Sequence, residues 1–90
     1  MIYVSVRHTV ADYAKWRPVF DAAQDDIRAS GATGAGQVFR DQANPNDITV
    51  LHEWDNAENA QKFFHNSALA ETMKMAGVIG RPEIRFLNRA

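Results

Sequence analysis

Two stretches near the beginning of the chain decide its fold class: IYVSVRH at residues 2–8 and ADYAKWRPVFDAAQDDI at residues 11–27. In the first stretch apolar residues occupy alternate positions, which is the period of a β-strand. In the second they recur every three or four positions and form one apolar stripe along a helix. Asp12 is a suitable N-cap and Gly31 a suitable residue just beyond the C-terminus, so we expect a helix within residues 10–30.

The remaining segments continue this succession of strands and helices. Strand-like patterns occupy residues 33–42, residues 48–54 and residues 83–88. Between the last two of these, Asn56 is expected to cap a second helix, which restarts at Ser67 and carries its own apolar stripe. The resulting order, βαββαβ, is that of the ferredoxin-like split βαβ motif. It predicts an α+β fold in which a four-stranded antiparallel sheet has both helices on one face.

Composition places the chain among small globular proteins and excludes several other classes. Its 90 residues predict a single domain, 1–90, and ten lysines and arginines against eleven acidic residues give a net charge of −1. No basic stripe is present, which argues against nucleic-acid binding. No apolar run reaches the ~20 residues of a membrane helix, and residues 1–8 lack the basic start of a signal peptide. We therefore expect a cytoplasmic protein without a membrane or nucleic-acid partner.

The turn at residues 43–46 sets the register between the second and third strands. Its sequence, Ala-Asn-Pro-Asn, marks a chain reversal. A loop of four residues places Asp41 opposite either Asp47 or Ile48, and we follow the second pairing. The pairs that result are Phe39 with Val50, Gln37 with His52, and Ala35 with Trp54. A register error of one residue would exchange the two faces of the second strand.

The pair of His52 and Gln37 is the most informative feature of the face under the helices, because both residues are polar on an otherwise apolar surface. Buried polar groups need partners, so a hydrogen bond between the two without any further role is one interpretation. The other is an aromatic pocket in which His52 is a general base, since burial lowers the pKa of a histidine and keeps it neutral. In that pocket Gln37 orients the ligand, Phe39 and Trp54 form the wall, and the helical aromatic residues cover it.

The opposite face of the sheet is expected to carry an apolar cluster of Tyr3, Val38, Leu51 and Leu87. Two helices cannot cover both sides of four strands, so we expect a second copy of the chain to pack on this face in a two-fold dimer. In that dimer Glu53 would pair with an arginine of the same face. The alternative is a monomer with a half-polar, solvated face, which antiparallel sheets tolerate.

The three histidines are not expected to form a metal site. His8 ends the first strand and His52 lies near the end of the third, so the two are at opposite ends of an antiparallel pair. His65 lies near the break in the second helix, where we expect it either to be exposed to solvent or to overhang the mouth of a pocket. Because the chain has no cysteine and no histidine pair at metal-ligand spacing, we expect no metal and no other cofactor.

Four segments carry a resemblance to a known family: VRHTV at residues 6–10, DYAKWRPVFD at residues 12–21, VLHEWD at residues 50–55 and ENA at residues 58–60. With these segments the chain resembles the antibiotic-biosynthesis-monooxygenase-like proteins of the dimeric α/β-barrel superfamily. The resemblance covers nearly the whole chain. It implies the ferredoxin-like fold and a homodimer formed through the open face of the sheet.

The resemblance also implies candidate activities. Family members include cofactor-independent oxygenases of polycyclic phenols, which use a tryptophan beside an asparagine four residues earlier on the same strand. Trp54 matches the tryptophan, whereas Val50 stands where the asparagine would be. A haem-degrading branch pairs the tryptophan with an asparagine of the first strand and a histidine of the second helix. His65 corresponds to that histidine, but the first strand has no asparagine.

We therefore expect a homodimer that binds a small planar aromatic or quinone-like molecule. As an enzyme it would be a cofactor-independent, monooxygenase-like protein with His52 and Trp54 as catalytic residues. The candidate ligand-binding residues are Gln37, Phe39, Tyr13, Trp16, Phe64 and His65. The alternative is a non-catalytic dimeric binding or stress-associated protein, in which the polar pair is purely structural.

Overall fold

The computed structural model describes residues 1–34 and 36–90, which form an antiparallel sheet covered by helices. The strands are β1 (Ile2–Val10), β2 (Gln37–Arg40), β3 (Asp47–Trp54) and β4 (Val78–Leu87). The helices are α1 (Tyr13–Ala22), α2 (Gln24–Ser30), α3 (Ala57–Phe64) and α4 (Ser67–Met75). The strand order in the sheet is β2-β3-β1-β4, with every neighbouring pair antiparallel. The predicted α+β, ferredoxin-like fold is confirmed.

Each of the two predicted helical segments is divided into two helices. α1 ends and α2 begins at Ala23, which has no side-chain cap. α4 begins anew because the side chain of Asn66 accepts a hydrogen bond from the backbone N–H of Ala68. The predicted caps at the outer ends are confirmed: Asp12 accepts from the N–H of Ala14, and Gly31 ends α2 with a φ of 129°.

The register of the β2–β3 hairpin differs by one residue from the prediction. The N–H of Asp41 donates to the carbonyl of Asp47, so these two residues face each other. The turn is one residue longer than assumed because the carboxylate of Asp41 accepts from the N–H groups of Ala43 and Asn44. The ladder therefore pairs Gln37 with Leu51, Val38 with Val50, and Phe39 with Thr49.

This shift exchanges the faces of β2. Val38 lies on the helix-covered face, whereas Gln37 and Phe39 lie on the open face, so the predicted pairing of Gln37 with His52 is wrong. The predicted partner of Trp54, Ala35, lies outside the described residues, and Trp54 forms a bridge with Ala32 instead.

The core lies between the helices and the even-numbered residues of β1 and β3. The largest fully buried side chains are Trp54, Ile48, Val4 and Val10. Because side chains alternate across a strand, the four positions share the face under the helices. The same parity places His8 and His52 on this face, and both are buried.

The open face carries apolar side chains between polar ones, as predicted, but Phe39 takes the place of Val38. Phe39 is 53% exposed, and Tyr3, Leu51 and Leu87 are half-buried. The ion pair of Glu53 with an arginine of this face, predicted for the dimer, stays a prediction. Arg7 binds Asp47 at 2.8 Å, and Glu53 accepts a hydrogen bond from the hydroxyl of Thr33.

β4 begins at Val78, five residues before the predicted start at residue 83. A register shift opposite residues 7–9 of β1 accommodates Gly80, whose φ is 73°. Pro82 is tolerated here because β4 is an edge strand with one side free of ladder hydrogen bonds. In the described part of the chain, helices are too short or too polar to cross a membrane.

Candidate functional site

A cavity of about 90 Å³ lies between the sheet and the helical layer. Its floor consists of alternate side chains of the two central strands: Val6, His8, Val50 and His52. α1 and α2 form one wall with side chains that include Trp16, Phe20 and Ile27. α3 and α4 form the other, with Phe63, Phe64, Leu69, Thr72 and Met73. Among the described residues that line the cavity, none has a charged side chain, so the site favours an uncharged and largely apolar occupant.

Aromatic rings connect the two buried histidines along one wall of the cavity. The rings of Trp16 and Phe20 are stacked, with centroids 4.9 Å apart and an interplanar angle of 18°. The ring of His8 lies 5.5 Å from Trp16, and the ring of His52 lies 6.0 Å from Phe20. Trp16 and Phe20 are one helical turn apart, so α1 presents both rings on the same side. This row offers a flat surface to a planar ligand.

His52 is the first of the two histidines and is only 4% exposed. Its Nε2 lies 3.5 Å from Oε1 of Gln24, at the limit of a hydrogen bond. Burial lowers the pKa of His52 below its ordinary value of 6.5. The imidazole is therefore neutral near pH 7 and able to accept a proton from a bound molecule. The amide beside His52 belongs to Gln24 of α2 rather than to Gln37.

Gly36 lies directly opposite the imidazole of His52. A Cβ atom on Gly36 would contact Cε1 of that ring and lie 2.5 Å from Nε2 and 3.0 Å from Nδ1. Such distances are far below a van der Waals contact. Any residue other than glycine at position 36 would therefore displace the imidazole of His52.

His8 is the second buried histidine, 7% exposed. Neither Nδ1 nor Nε2 has a hydrogen-bond partner among the described residues. Burial lowers the pKa of His8, and the negative charge of Asp47 opposes this shift only in part. Sequence reasoning considered His8 only as a metal ligand and missed it as a cavity residue. Its even position in β1, in phase with Val4 and Val6, is the signal that could have identified it.

The structure places two predicted aromatic residues outside the cavity lining. Trp54 is fully buried behind the cavity wall, with ring centroids 5.4 Å from Phe63 and 5.7 Å from Phe64. The hydroxyl of Tyr13 accepts from Arg17, and the guanidinium of Arg40 lies 4.1 Å from its ring centroid. Trp54 packs against residues that line the cavity, and Tyr13 contacts two arginines. Neither belongs to the lining itself.

The remaining predicted residues are divided between the cavity and the surface. Trp16 and Phe64 line the cavity together with His52, as predicted. Gln37 and Phe39 lie on the opposite face of the sheet because of the register shift. His65 is exposed at the C-terminal end of α3, away from the lining. Within residues 1–34 and 36–90, no three histidine or acidic side chains come together as a metal-binding group would require.

Comparison with solved structures reveals a consistent set of similar folds. A proposed antibiotic biosynthesis monooxygenase of Bordetella bronchiseptica superimposes with a TM-score of 0.80 at 18% identity, covering 99% of this chain and 96% of that one. An antibiotic biosynthesis monooxygenase structure gives a TM-score of 0.73 at 14% identity, covering 100% and 99%. The chain shares the fold of these structures.

A cofactor-independent oxygenase, SnoaB of Streptomyces nogalater, shares this fold with a TM-score of 0.72 at 15% identity, covering 99% of this chain and 92% of that one. No protein-family model matches the sequence, and no curated protein does. The fold predicted from the sequence resemblance is thus confirmed by the shape of the backbone. At these identities the likeness concerns the fold and not the residues of the site.

Proposed function

We propose that the protein binds a small, planar aromatic or quinone-like molecule in the cavity and oxidises it as a cofactor-independent, monooxygenase-like enzyme. The observation that carries this proposal is the neutral, buried imidazole of His52 at one end of an aromatic, uncharged cavity. A flat ring stacks favourably along Trp16 and Phe20. Likeness in fold to a cofactor-independent oxygenase supports the reaction class by analogy.

His52 would act as a general base in this reaction. It accepts a proton from the hydroxyl or activated C–H group of the substrate, and the resulting electron-rich anion reduces O₂. One oxygen atom enters the substrate as a carbonyl and the other leaves as water, so that an R–CH₂ group and O₂ give R–C=O and H₂O. The substrate itself supplies the electrons. Gln24, next to Nε2 of His52, would orient the imidazole.

His52→Phe should separate catalysis from stability. Because the cavity around His52 is apolar, the phenyl ring should change the free energy of unfolding by less than about 1 kcal/mol. Loss of the base should lower the turnover of an oxidisable phenol or naphthol by about 10²–10⁴-fold. Oxygen consumption and product formation measure turnover after a thermal-shift survey of neutral phenols, naphthols and quinones has identified a ligand. An unchanged turnover in His52→Phe, or no ligand in the survey, would overturn the proposal.

A non-catalytic binding protein is the second candidate, and the position of Trp54 favours it. The tryptophan implied by the family resemblance is sealed in the core rather than exposed to the cavity. A chain that only binds should still show a rise in melting temperature with a planar ligand. It should give no product under O₂, and His52→Phe should then alter affinity alone.

We infer that a second copy of the chain covers the open face of the sheet. Support comes from Phe39, which is 53% exposed and lies diagonal to Leu51 across the β2–β3 ladder, on the face opposite the helices. In a two-fold dimer the same patch of each subunit packs against its counterpart, which buries these side chains. Ser5 and Thr49, both half-buried, lie on the same face, so the patch is mixed rather than fully apolar.

Sedimentation should therefore give a particle of twice the 10.1 kDa chain mass at micromolar concentration. Phe39→Glu should shift the particle to the mass of one chain, because it places a charge in the proposed interface. Met75→Glu is the matched control, since Met75 is 88% exposed on α4 and lies on the helical side. A wild-type protein that sediments as a single chain would contradict the dimer.

A further inference from the structure

His8 is a buried side chain with an unused capacity for hydrogen bonding. Each nitrogen of its ring has almost no solvent exposure and no partner among the described residues. Burying such groups without a partner costs free energy, so they are normally paired with protein, water or ligand. The ring also lines the cavity. A ligand in the cavity supplies the missing partner when the ring turns one of these nitrogens toward it.

The two histidines of the cavity are not equivalent. Nε2 of His52 is already within 3.5 Å of the side-chain oxygen of Gln24, whereas neither nitrogen of His8 is paired within residues 1–34 and 36–90. The third polar side chain of the lining, Thr72, donates its hydroxyl to the carbonyl of Ala68. A polar group on a ligand therefore gains most by forming a hydrogen bond with His8.

The chemistry of the cavity restricts what that polar group can be. A neutral imidazole has one donor and one acceptor nitrogen, and a hydroxyl group can serve either of them. A carboxylate or an ammonium group would enter a lining without a compensating charge, which is strongly unfavourable. Trp16, 5.5 Å from His8 in an edge-on arrangement, provides the surface for the ring that carries the hydroxyl.

We propose that His8 is the specificity-determining residue of the cavity and binds the hydroxyl group of a neutral phenol-type ligand. This inference rests on the proposed function, because it assumes that the cavity takes an aromatic molecule. It adds the chemical group that is recognised and the residue that recognises it. An aromatic hydrocarbon of the same shape would leave His8 unpaired and bind more weakly.

The test compares p-cresol with toluene, which differ only in the hydroxyl group. Wild-type protein should bind p-cresol about tenfold more tightly in an NMR titration, the ratio expected from one hydrogen bond to a buried group. His8→Phe should reduce this preference to less than twofold, and His8→Gln, which retains a donor and an acceptor, should restore part of it. Thr72→Val should change the preference little, because the hydroxyl of Thr72 is already bonded to Ala68.

The ring nitrogens of His8 give a direct readout that a purely structural role would not affect. Their ¹⁵N resonances should move when p-cresol is added and remain in place with toluene. Equal binding of both molecules, or a preference that survives in His8→Phe, would overturn the role of His8 while leaving the cavity as a binding site. A crystal of the complex in which His8 contacts only an ordered water would overturn it as well. Failure of both molecules to bind the wild-type protein would remove this inference together with the proposed function.

Discussion

Trp54→Ala should lower the free energy of unfolding by about 3–5 kcal/mol, the range for removing a large aromatic side chain from a core. Trp54 is fully buried at the end of β3 and contacts the rings of both Phe63 and Phe64. Those two rings also form a wall of the cavity. Truncation of Trp54 should therefore loosen α3 and weaken ligand binding through the wall. Urea denaturation monitored by circular dichroism measures the change in stability.

Trp54→Phe is the informative control for this variant. The indole Nε1 has no hydrogen-bond partner among the described residues. Phenylalanine removes the cost of burying this unpaired N–H group while it keeps most of the aromatic packing. We expect Trp54→Phe to cost less than half as much as Trp54→Ala. A small effect of Trp54→Ala, below about 1 kcal/mol, would show that this part of the core is packed differently.

Gly36→Ala should destabilise the protein by about 1–3 kcal/mol, although alanine is a small residue. The reason is steric: the new methyl group would lie 2.5 Å from Nε2 of His52. Either β2 moves away at the edge of the sheet or the imidazole leaves its place in the cavity. In both cases ligand affinity and turnover should fall together, which titration and the turnover assay would detect.

A double-mutant cycle identifies the cause of this effect. In a His52→Ala background the space is free, so Gly36→Ala should cost less than about 0.5 kcal/mol. Equal costs in both backgrounds would mean that the effect arises from the backbone of β2 and not from the contact with His52.

The fold could be predicted from the sequence because its main signals are periodic. The alternation in residues 2–8 and the helical stripe that follows each involve many side chains. One atypical residue therefore does not change the predicted secondary structure. The caps at Asp12 and Gly31 confirmed this interpretation locally. The breaks at Ala23 and Asn66 are finer features, and only Ser67, as a restart, indicated the second of them.

The site was less predictable because it depends on the register of a single hairpin. One carboxylate, that of Asp41, lengthens the turn by one residue and moves Gln37 to the opposite face. His52 was placed correctly because its position in β3 does not depend on this turn. Gln24 could not be identified as its neighbour, since that contact requires the exact rotation of α2.

The proposed function requires that His52 stays neutral while it lines the cavity, and an NMR titration of its ring nitrogens tests this most directly. Burial places its pKa below the ordinary 6.5, so the folded protein should hold fewer protons than the unfolded chain as the pH falls through that value. Stability should therefore be complete above pH 6.5 and decrease below it, by at most about 1.4 kcal/mol per pH unit for this group. We predict a neutral His52 at pH 6.5 whose ring resonances move when p-cresol is added. A His52 that is half-protonated at or above pH 6.5, with resonances indifferent to the ligand, would contradict the account.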